Sequence, residues 1–414
     1  MYKRRVVITG LGVIASNGIG KEEFWQANLK GESGIDRVTS FDVSNLDCQI
    51  AGQVKQFDPS RYVPAKLVNK VDRFVHLGLA SASMALEDSF IDLGKEDKTK
   101  IGVVIGSGLG GALFHEEQIV AACQKGVDRI HPASVPRVTP NAVASHIAIR
   151  FGLTGSNLVI STACASGAHA VGEGFRKVQH GELDLCLSGG VEAPLTLFTF
   201  GAYNALKVLS KRNDSPQEAS RPFDKERDGF VLAEGAAVVI LEELTHALKR
   251  NAHIYAEVVG YAANSGAYNM VMPHPEGEDA SDVMIGAIKD ANLTIKEINY
   301  INAHGTSTQA NDKAETKAIK RVFGDDAYKI PISSTKSMIG HSIGAAGAVE
   351  ALVCALAIEN DLIPPTINYK QKDSDCDLDY VPNETRSAKV NAALSNSFGF
   401  GSCNVGIIFI KGRF

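Results

Sequence analysis

Ten short runs of apolar, often β-branched residues punctuate the chain, and several are apolar nearly throughout. The first five are VVITG (6–10), IGVVIGSG (101–108), NLVISTA (157–163), DLCLSGG (184–190) and AAVVILEEL (236–244). The second five are YAEVVGYA (255–262), INYINAHG (298–305), IPISSTK (330–336), AALSNSFG (392–399) and VGIIFIK (405–411). Runs without a polar face predict strands covered on both sides of a sheet. Between them, apolar residues recur at helical spacing over 70–90, 171–181, 280–293, 312–324 and 345–361. The alternation predicts an α/β architecture with covered sheets. Five strand runs precede residue 250 and five follow it. The chain therefore reads as two halves of similar design, 1–250 and 251–414, although no self-similarity of sequence is visible. No low-complexity linker divides them, so they are expected to pack as one body.

Composition narrows the class. With 44% hydrophobic and 21% charged residues over 414 positions, the chain is an ordinary globular one. A net charge of −5 gives no reason to expect nucleic-acid binding. The seven cysteines are odd in number, scattered and without a CxxC pair. That pattern argues against a disulfide framework or a metal site and for a reducing, cytoplasmic setting. The N-terminal MYKRRVVITGLGVIASNG has the basic start of a signal peptide. Its apolar run is short, broken by Gly10 and Gly12, and lacks a small-x-small cleavage site, so a strand is the better reading. No uninterrupted apolar segment approaches the roughly 20 residues that span a bilayer, and GAAGAVEALVCALAI carries Glu350. No membrane partner is expected.

Two glycine patterns, GLGVIA (10–15) and GSGLGG (106–111), follow strand runs and invite a dinucleotide reading. That fingerprint needs a helix opening directly from the loop to receive the pyrophosphate. Here SNGIG intervenes after the first pattern, and no acidic residue ends a strand at the right distance. Tight turns lining a pocket are expected instead. Histidines such as His76, His146 and His246 sit on helical patterns as surface or core residues.

Candidate chemistry begins at STACASGAHA (161–170), where Cys164 stands at the end of a buried strand and the start of a glycine-rich helix. Small neighbours permit the sharp turn that exposes a nucleophile, and a helix N-terminus favours thiolate. A small packed thiol is an equally good reading of the same letters. Two histidines move the balance. His304, in NAHGTST, and His341, in STKSMIGH, each lie where a strand run gives way to a glycine-containing loop, and such exits converge on the ligand crevice of an α/β sheet. One cysteine and two imidazoles suit thioester chemistry, with the thiolate accepting an acyl group and N–H donors binding a developing oxyanion or enolate.

Taken in order, TACASG, SRPFDKERDGFVLAEGAA (220–237), NAHGTST, STKSMIGH, GAAG and SNSFGFG identify the chain as resembling the elongating β-ketoacyl-acyl-carrier-protein synthases of the thiolase superfamily, over essentially its whole length. The resemblance implies a thiolase-like fold, with a five-stranded mixed sheet in each half and α-β-α-β-α layers. It implies acyl transfer to Cys164, then decarboxylation of a malonyl-carrier assisted by His304 and His341, with Lys336 and Glu350 organising that site. Backbone N–H groups of Cys164 and Phe400 would form the oxyanion hole. Thr306 and Thr308 would bind the phosphopantetheine arm, which belongs to the carrier; no cofactor of the enzyme's own is implied. Leu109, Phe398 and Phe400 would line and gate the acyl pocket. Lys66, Lys70 and Arg73, read as one helical face, would dock the acidic acyl carrier protein, with Lys207, Lys211 and Arg212 in support. Members are dimers, here a homodimer or a heterodimer with a chain-length-factor-like subunit. Fatty acid synthesis is the first reading of the pathway and a type II polyketide or polyene system the second. A non-catalytic partner subunit would lack Cys164, and a degradative thiolase would carry a second cysteine where this chain has His341. Three departures bear on specificity: Ser402 and Cys403 replace the usual Gly-Gly or Gly-Thr, which predicts a gating loop that is stiffer or shaped for another chain; Ser342 replaces a usual Leu and resembles the ketosynthase subunits of type II polyketide systems; and FTFGAYNALKVLSKRND (198–214) is longer than its fatty-acid counterpart.

Overall fold

Each of the ten apolar runs forms a strand in the computed structural model, which describes residues 3–412. The first half supplies β1 (Val6–Ala15), β2 (Ile101–Gly106), β3 (Asn157–Ile160), β4 (Leu185–Glu192) and β5 (Gly235–Glu243). The second supplies β6 (Ala256–Ser265), β7 (Tyr300–Asn302), β8 (Ile332–Ser333), β9 (Ala392–Gly399) and β10 (Cys403–Ile410). The strand order is β3-β2-β4-β5-β1 in one half and β8-β7-β9-β10-β6 in the other. In each, the second strand lies parallel to the third and fourth, while the fifth runs antiparallel to the fourth and first. The halves thus repeat one topology. The two sheets meet through a short antiparallel pairing of Val6–Ile8 with 256–258.

Helices complete the layers. Outside the first sheet lie α1 (Arg73–Ser89) and α2 (Ala142–Phe151); between the sheets lie α3 (Ser166–Gln179) and α7 (Ala346–Asn360). The short α4 (Leu197–Ala205) lies beside Cys164's surroundings, and α5 (Glu278–Asp290) and α6 (Gln309–Phe323) cover the second sheet. Three apolar cores follow this layering, one between the sheets and one beneath each outer pair. The stretch 343–360 is long and apolar enough to cross a bilayer, but it ends in α7, whose residues from Ala346 to Ile358 are all buried between the sheets. A helix buried on every side is apolar all round.

Two expectations need correction. GLGVIA is no turn: it lies inside β1, and its glycines admit α1 against the strand, since a Cβ on Gly10 or Gly12 would fall 2.3 or 2.0 Å from the Ala85 or Ser81 carbonyl oxygen. Strand β3 is not covered on both sides. It forms the sheet's edge, with Leu158 42% exposed.

Candidate active site

The two central helices are entered through matching turns. Before α3 stands the 3-10 turn Ala163–Ala165, and before α7 the turn Ile343–Ala345. Each opens on a left-handed non-glycine residue, Ala163 at φ +50° and Ile343 at +46°. Such a conformation costs of order 1–3 kcal/mol and persists where the surroundings enforce it. The first turn delivers Cys164 to a cavity of about 130 Å³ that His304, His341, Thr306, Thr308, Phe398 and Phe400 also line. Cys164, His304 and His341 are all buried.

Burial pushes the Cys164 thiol up to about 12, although Lys336 and the backbone N–H groups of Phe400 and Cys164 pull it down. The thiolate expected from the helix terminus is therefore outweighed in the resting protein, and the sulfur must lose its proton as it attacks. Gly399 brings the Phe400 loop close: a Cβ there would lie 2.5 Å from the Thr162 carbonyl oxygen.

His304 follows β7, and its backbone N–H and that of Gly305 each donate to Glu315 on α6 at 2.8 Å. Asn396 Nδ2 also donates to Glu315, at 3.3 Å. Lys336 Nζ donates to the His304 carbonyl oxygen at 2.6 Å and to His304 Nδ1 at 3.5 Å, and forms a short ion pair with Glu350. An ammonium has no lone pair, so Nδ1 must accept, and the ring proton sits on Nε2. Burial, then Lys336 and His341, holds His304 well below its ordinary range. Burial pushes Glu350 up to about 7 against the pull of Lys336, and Ser397 Oγ donates to it at 3.4 Å.

His341 is held by its backbone, accepted by Val231 O at 2.7 Å and accepting from Ala233 N at 2.9 Å. Among the described residues neither of its ring nitrogens has a hydrogen-bond partner. Burial and Lys336 keep it neutral. The ring lies edge-on to Phe230 at 5.4 Å and to His304 at 5.4 Å, while Phe398 lies 5.6 Å from His304. Buried polar atoms in proteins almost always have partners, so open imidazole nitrogens facing a cavity await a ligand. Thr306 and Thr308 share a 3.0 Å hydrogen bond between hydroxyls.

Other predicted residues lie elsewhere. Leu109 is 38% exposed and outside this cavity's lining. The basic face breaks: Lys66 lies on a short helix at 65–68, Lys70 in the following loop, and Asp72 caps α1 at Arg73. Lys66 and Lys70 are exposed, but Arg73 turns inward onto Glu234 in a bidentate pair at 2.6 and 2.7 Å. Lys211 pairs with Asp47, Arg212 lies near Glu226 and Asp228, and Lys207 is exposed. Ser342 Oγ is buried without a partner among the described residues. Ser402 Oγ donates to Asn269 O at 3.0 Å, and Gly401 N donates to Met270 O at 2.8 Å, which ties the Phe400 loop to the neighbouring 266–274 segment.

Sequence reasoning missed Glu315, Glu192, Tyr203 and Phe230. It also left the SRPFDKERDGF motif without a role. Arg221 N donates to Ser307 Oγ at 2.9 Å, Arg227 Nε to Thr308 O at 3.1 Å, and Ser220 Oγ to Lys336 O at 2.7 Å. That motif braces both the threonine loop and the lysine.

Comparison with known proteins agrees with this geometry. The β-ketoacyl synthase N-terminal domain matches residues 3–247 and the C-terminal domain residues 255–370. The 3-oxoacyl-[acyl-carrier-protein] synthase 2 of Coxiella burnetii is 46% identical over 404 residues, 98% of each chain. That of Synechocystis is 44% identical over 411 residues, 99% of each. Among solved structures, a ketosynthase in complex with its type II polyketide synthase acyl-carrier protein and bound to the hexaketide matches with TM-score 0.93 and 37% identity, covering 99% of this chain and 100% of that one. The ishigamide ketosynthase/chain length factor matches with TM-score 0.92 and 34% identity, again over 99% and 100%.

Proposed function

The chain belongs to the β-ketoacyl synthase family, and we propose that it condenses an acyl group held on Cys164 with a malonyl group on acyl carrier protein, releasing CO₂ and a β-ketoacyl-carrier. The observation that carries this reading is the meeting of Cys164, His304 and His341 in one buried cavity, with both histidines neutral.

In the first step the Cys164 sulfur attacks the acyl thioester on the carrier's phosphopantetheine arm, which Thr306 and Thr308 receive. The backbone N–H groups of Cys164 and Phe400 hold the developing oxyanion. The carrier thiol leaves with the proton that the cysteine gives up, so atoms and charge balance. In the second step the malonyl thioester oxygen meets Nε2–H of His304 and an N–H of His341. Loss of CO₂ leaves an enolate whose charge those donors share; its α-carbon attacks the acyl-Cys carbonyl, the C–S bond breaks, and Cys164 leaves as the thiolate and takes up a proton from solvent. A donor placed at such an oxygen contributes about 3–4 kcal/mol. Two neutral imidazoles suit this step, because each keeps an N–H to give without a charge that would compete for the carboxylate.

Fatty-acid elongation is the pathway favoured by the relatives' names. A type II polyketide role is the second reading, favoured by the structural neighbours and by Ser342. We further propose a division into halves near residue 250, action in the cytoplasm, and a dimer. The open apolar edge of β3 and exposed Phe198 support pairing with a like-folded chain. Carrier docking rests on Lys66 and Lys70 without Arg73. The test incubates the protein alone with malonyl-carrier and acyl-carriers of graded length, with mass spectrometry of the products. Condensation without a partner chain supports elongation, and condensation only beside a chain-length-factor-like subunit supports the second reading. No product in either case, or full activity in Cys164→Ala, sinks both.

A further inference from the structure

Glu192 ends β4, is fully buried, and has no part in the steps above. Its carboxylate nonetheless accepts four hydrogen bonds. Gly108 N at 2.7 Å and Gly344 N at 3.1 Å donate to Oε2; Leu109 N at 3.0 Å and Ser107 Oγ at 3.1 Å donate to Oε1. These donors come from opposite halves, one set from the loop after β2 and one from the turn before α7. Packing around them is tight. A Cβ on Gly344 would lie 2.4 Å from Glu192 Oε2 and 2.7 Å from Gly108 N, and one on Gly190 would lie 2.5 Å from Gly344 O and 3.0 Å from Gly167 Cα.

The repeat of the halves gives this contact a meaning. The turns before α3 and α7 correspond, and so do their sequences, TACASG (162–167) and SIGAAG (342–347). Gly344 therefore stands in the second half where Cys164 stands in the first. At Cys164 the backbone N–H, with that of Phe400, acts on the cysteine's own sulfur. At Gly344 the corresponding N–H is already taken by a carboxylate oxygen.

We propose that Glu192 is a positioning residue for the nucleophile: its carboxylate fills the second half's counterpart of the oxyanion hole and, by joining Gly344 to the 107–109 loop, fixes the Cys164 turn. The proposal rests on Cys164 being the acyl acceptor. Burial holds the Glu192 carboxyl up, to about 7, against its four donors. Its charge acts in turn on two neighbours, opposing ionisation of the Cys164 thiol and of the Tyr203 phenol on α4, while Lys336 is the cation that favours the thiolate. Glu192 thus both shapes the turn and helps keep the resting sulfur protonated.

The test uses Glu192→Gln in the full chain. Three quantities are read: the fraction of Cys164 alkylated by iodoacetamide, the pH midpoint of that alkylation, and the single-turnover rate of acyl transfer per alkylatable site. The amide keeps an oxygen for two donors but turns an NH₂ toward Leu109 N–H. The expected result is a titratable fraction like that of the parent, a ten- to hundredfold slower transfer per site, and an alkylation midpoint at lower pH because a buried negative charge has gone. If the loss appears only in the titratable fraction or the melting temperature, with per-site rate and midpoint unchanged, Glu192 is structural and the proposal is wrong. Ser107→Ala removes one donor and keeps the charge, so it carries the test if Glu192→Gln does not fold. It should slow transfer per site two- to fivefold at an unchanged midpoint, and a parental rate would overturn the proposal. Absence of acyl transfer in the parent would strike the proposed function instead, while the alkylation midpoint still reads Glu192 by itself.

Discussion

Replacing Lys336 by Met removes one ammonium that makes three contacts, to the His304 carbonyl, to His304 Nδ1 and to Glu350. Both members of the ion pair are 2% exposed. Removing one partner of such a buried pair costs about 3–5 kcal/mol, because the remaining charge is uncompensated. Part of that cost is avoidable here. Burial already holds Glu350 up to about 7, so it can take a proton instead of remaining a bare carboxylate. Stability should accordingly fall by about 3 kcal/mol, the lower end of that range. The catalytic loss has a different origin. Without a cation on Nδ1 the His304 ring can carry its proton on either nitrogen, and the donor at Nε2 is no longer assured. Losing one preorganised donor costs a factor of about 10²–10³ in rate. Cys164 also loses the cation that most favours its thiolate, so alkylation by iodoacetamide should slow at fixed pH. The assay is malonyl-carrier decarboxylation, with thermal unfolding in parallel. A double variant, Lys336→Met with Glu350→Leu, separates the effects: an apolar pair recovers much of the stability but none of the decarboxylation. Decarboxylation within threefold of the parent in Lys336→Met would refute the claim that the lysine sets the His304 tautomer.

Two further outcomes follow from the same reasoning. His246 lies between Glu242 and Glu96, at 2.6 and 2.9 Å, and although burial works against its charge these carboxylates hold it above its ordinary range. A raised histidine binds its proton more tightly in the folded state, so its contribution is full below about pH 6.5 and is lost as pH rises through the folded value. His246→Gln should therefore lower the melting temperature more at pH 6 than at pH 9; an equal drop at both would contradict the pairing. Ser402 sits at φ +60°, and Gly there relieves strain of order 1 kcal/mol while giving up the Oγ bond to Asn269, worth about 1 kcal/mol. These cancel, so Ser402→Gly should leave stability nearly unchanged and speed acyl loading by freeing the Phe400 loop. Slower loading would show that the tie does not restrain entry.

The fold was legible because each covered strand carries its own apolar run, and even the two-residue β8 could be found within IPISSTK. Cys164, His304 and His341 were legible because each sits in a distinctive local stretch, and they do share a cavity. What escaped was set by distant neighbours. Arg73 reads as one more basic residue until Glu234, 161 positions away, turns it inward. Glu315 and Glu192 carry no motif, since their partners are mostly backbone N–H groups from other segments. Glu192 has one local signal, as an acidic residue that ends a strand run with no exposed face, and Glu315, inside α6, has none. The kinship of TACASG and SIGAAG was hidden because Gly344 stands at the position that Cys164 holds in the first half.

Strand β3 ends at Ile160, four positions before Cys164, and its outer edge is unpaired among the described residues. Whatever chain adds a strand there joins the same ladder of backbone hydrogen bonds that leads into the nucleophile's turn. A change of neighbour would then act on the segment that leads to Cys164 without any change in this sequence. Two lineages could keep identical catalytic residues and diverge in product by exchanging the chain alongside. Selection on the companion would serve as selection on the enzyme.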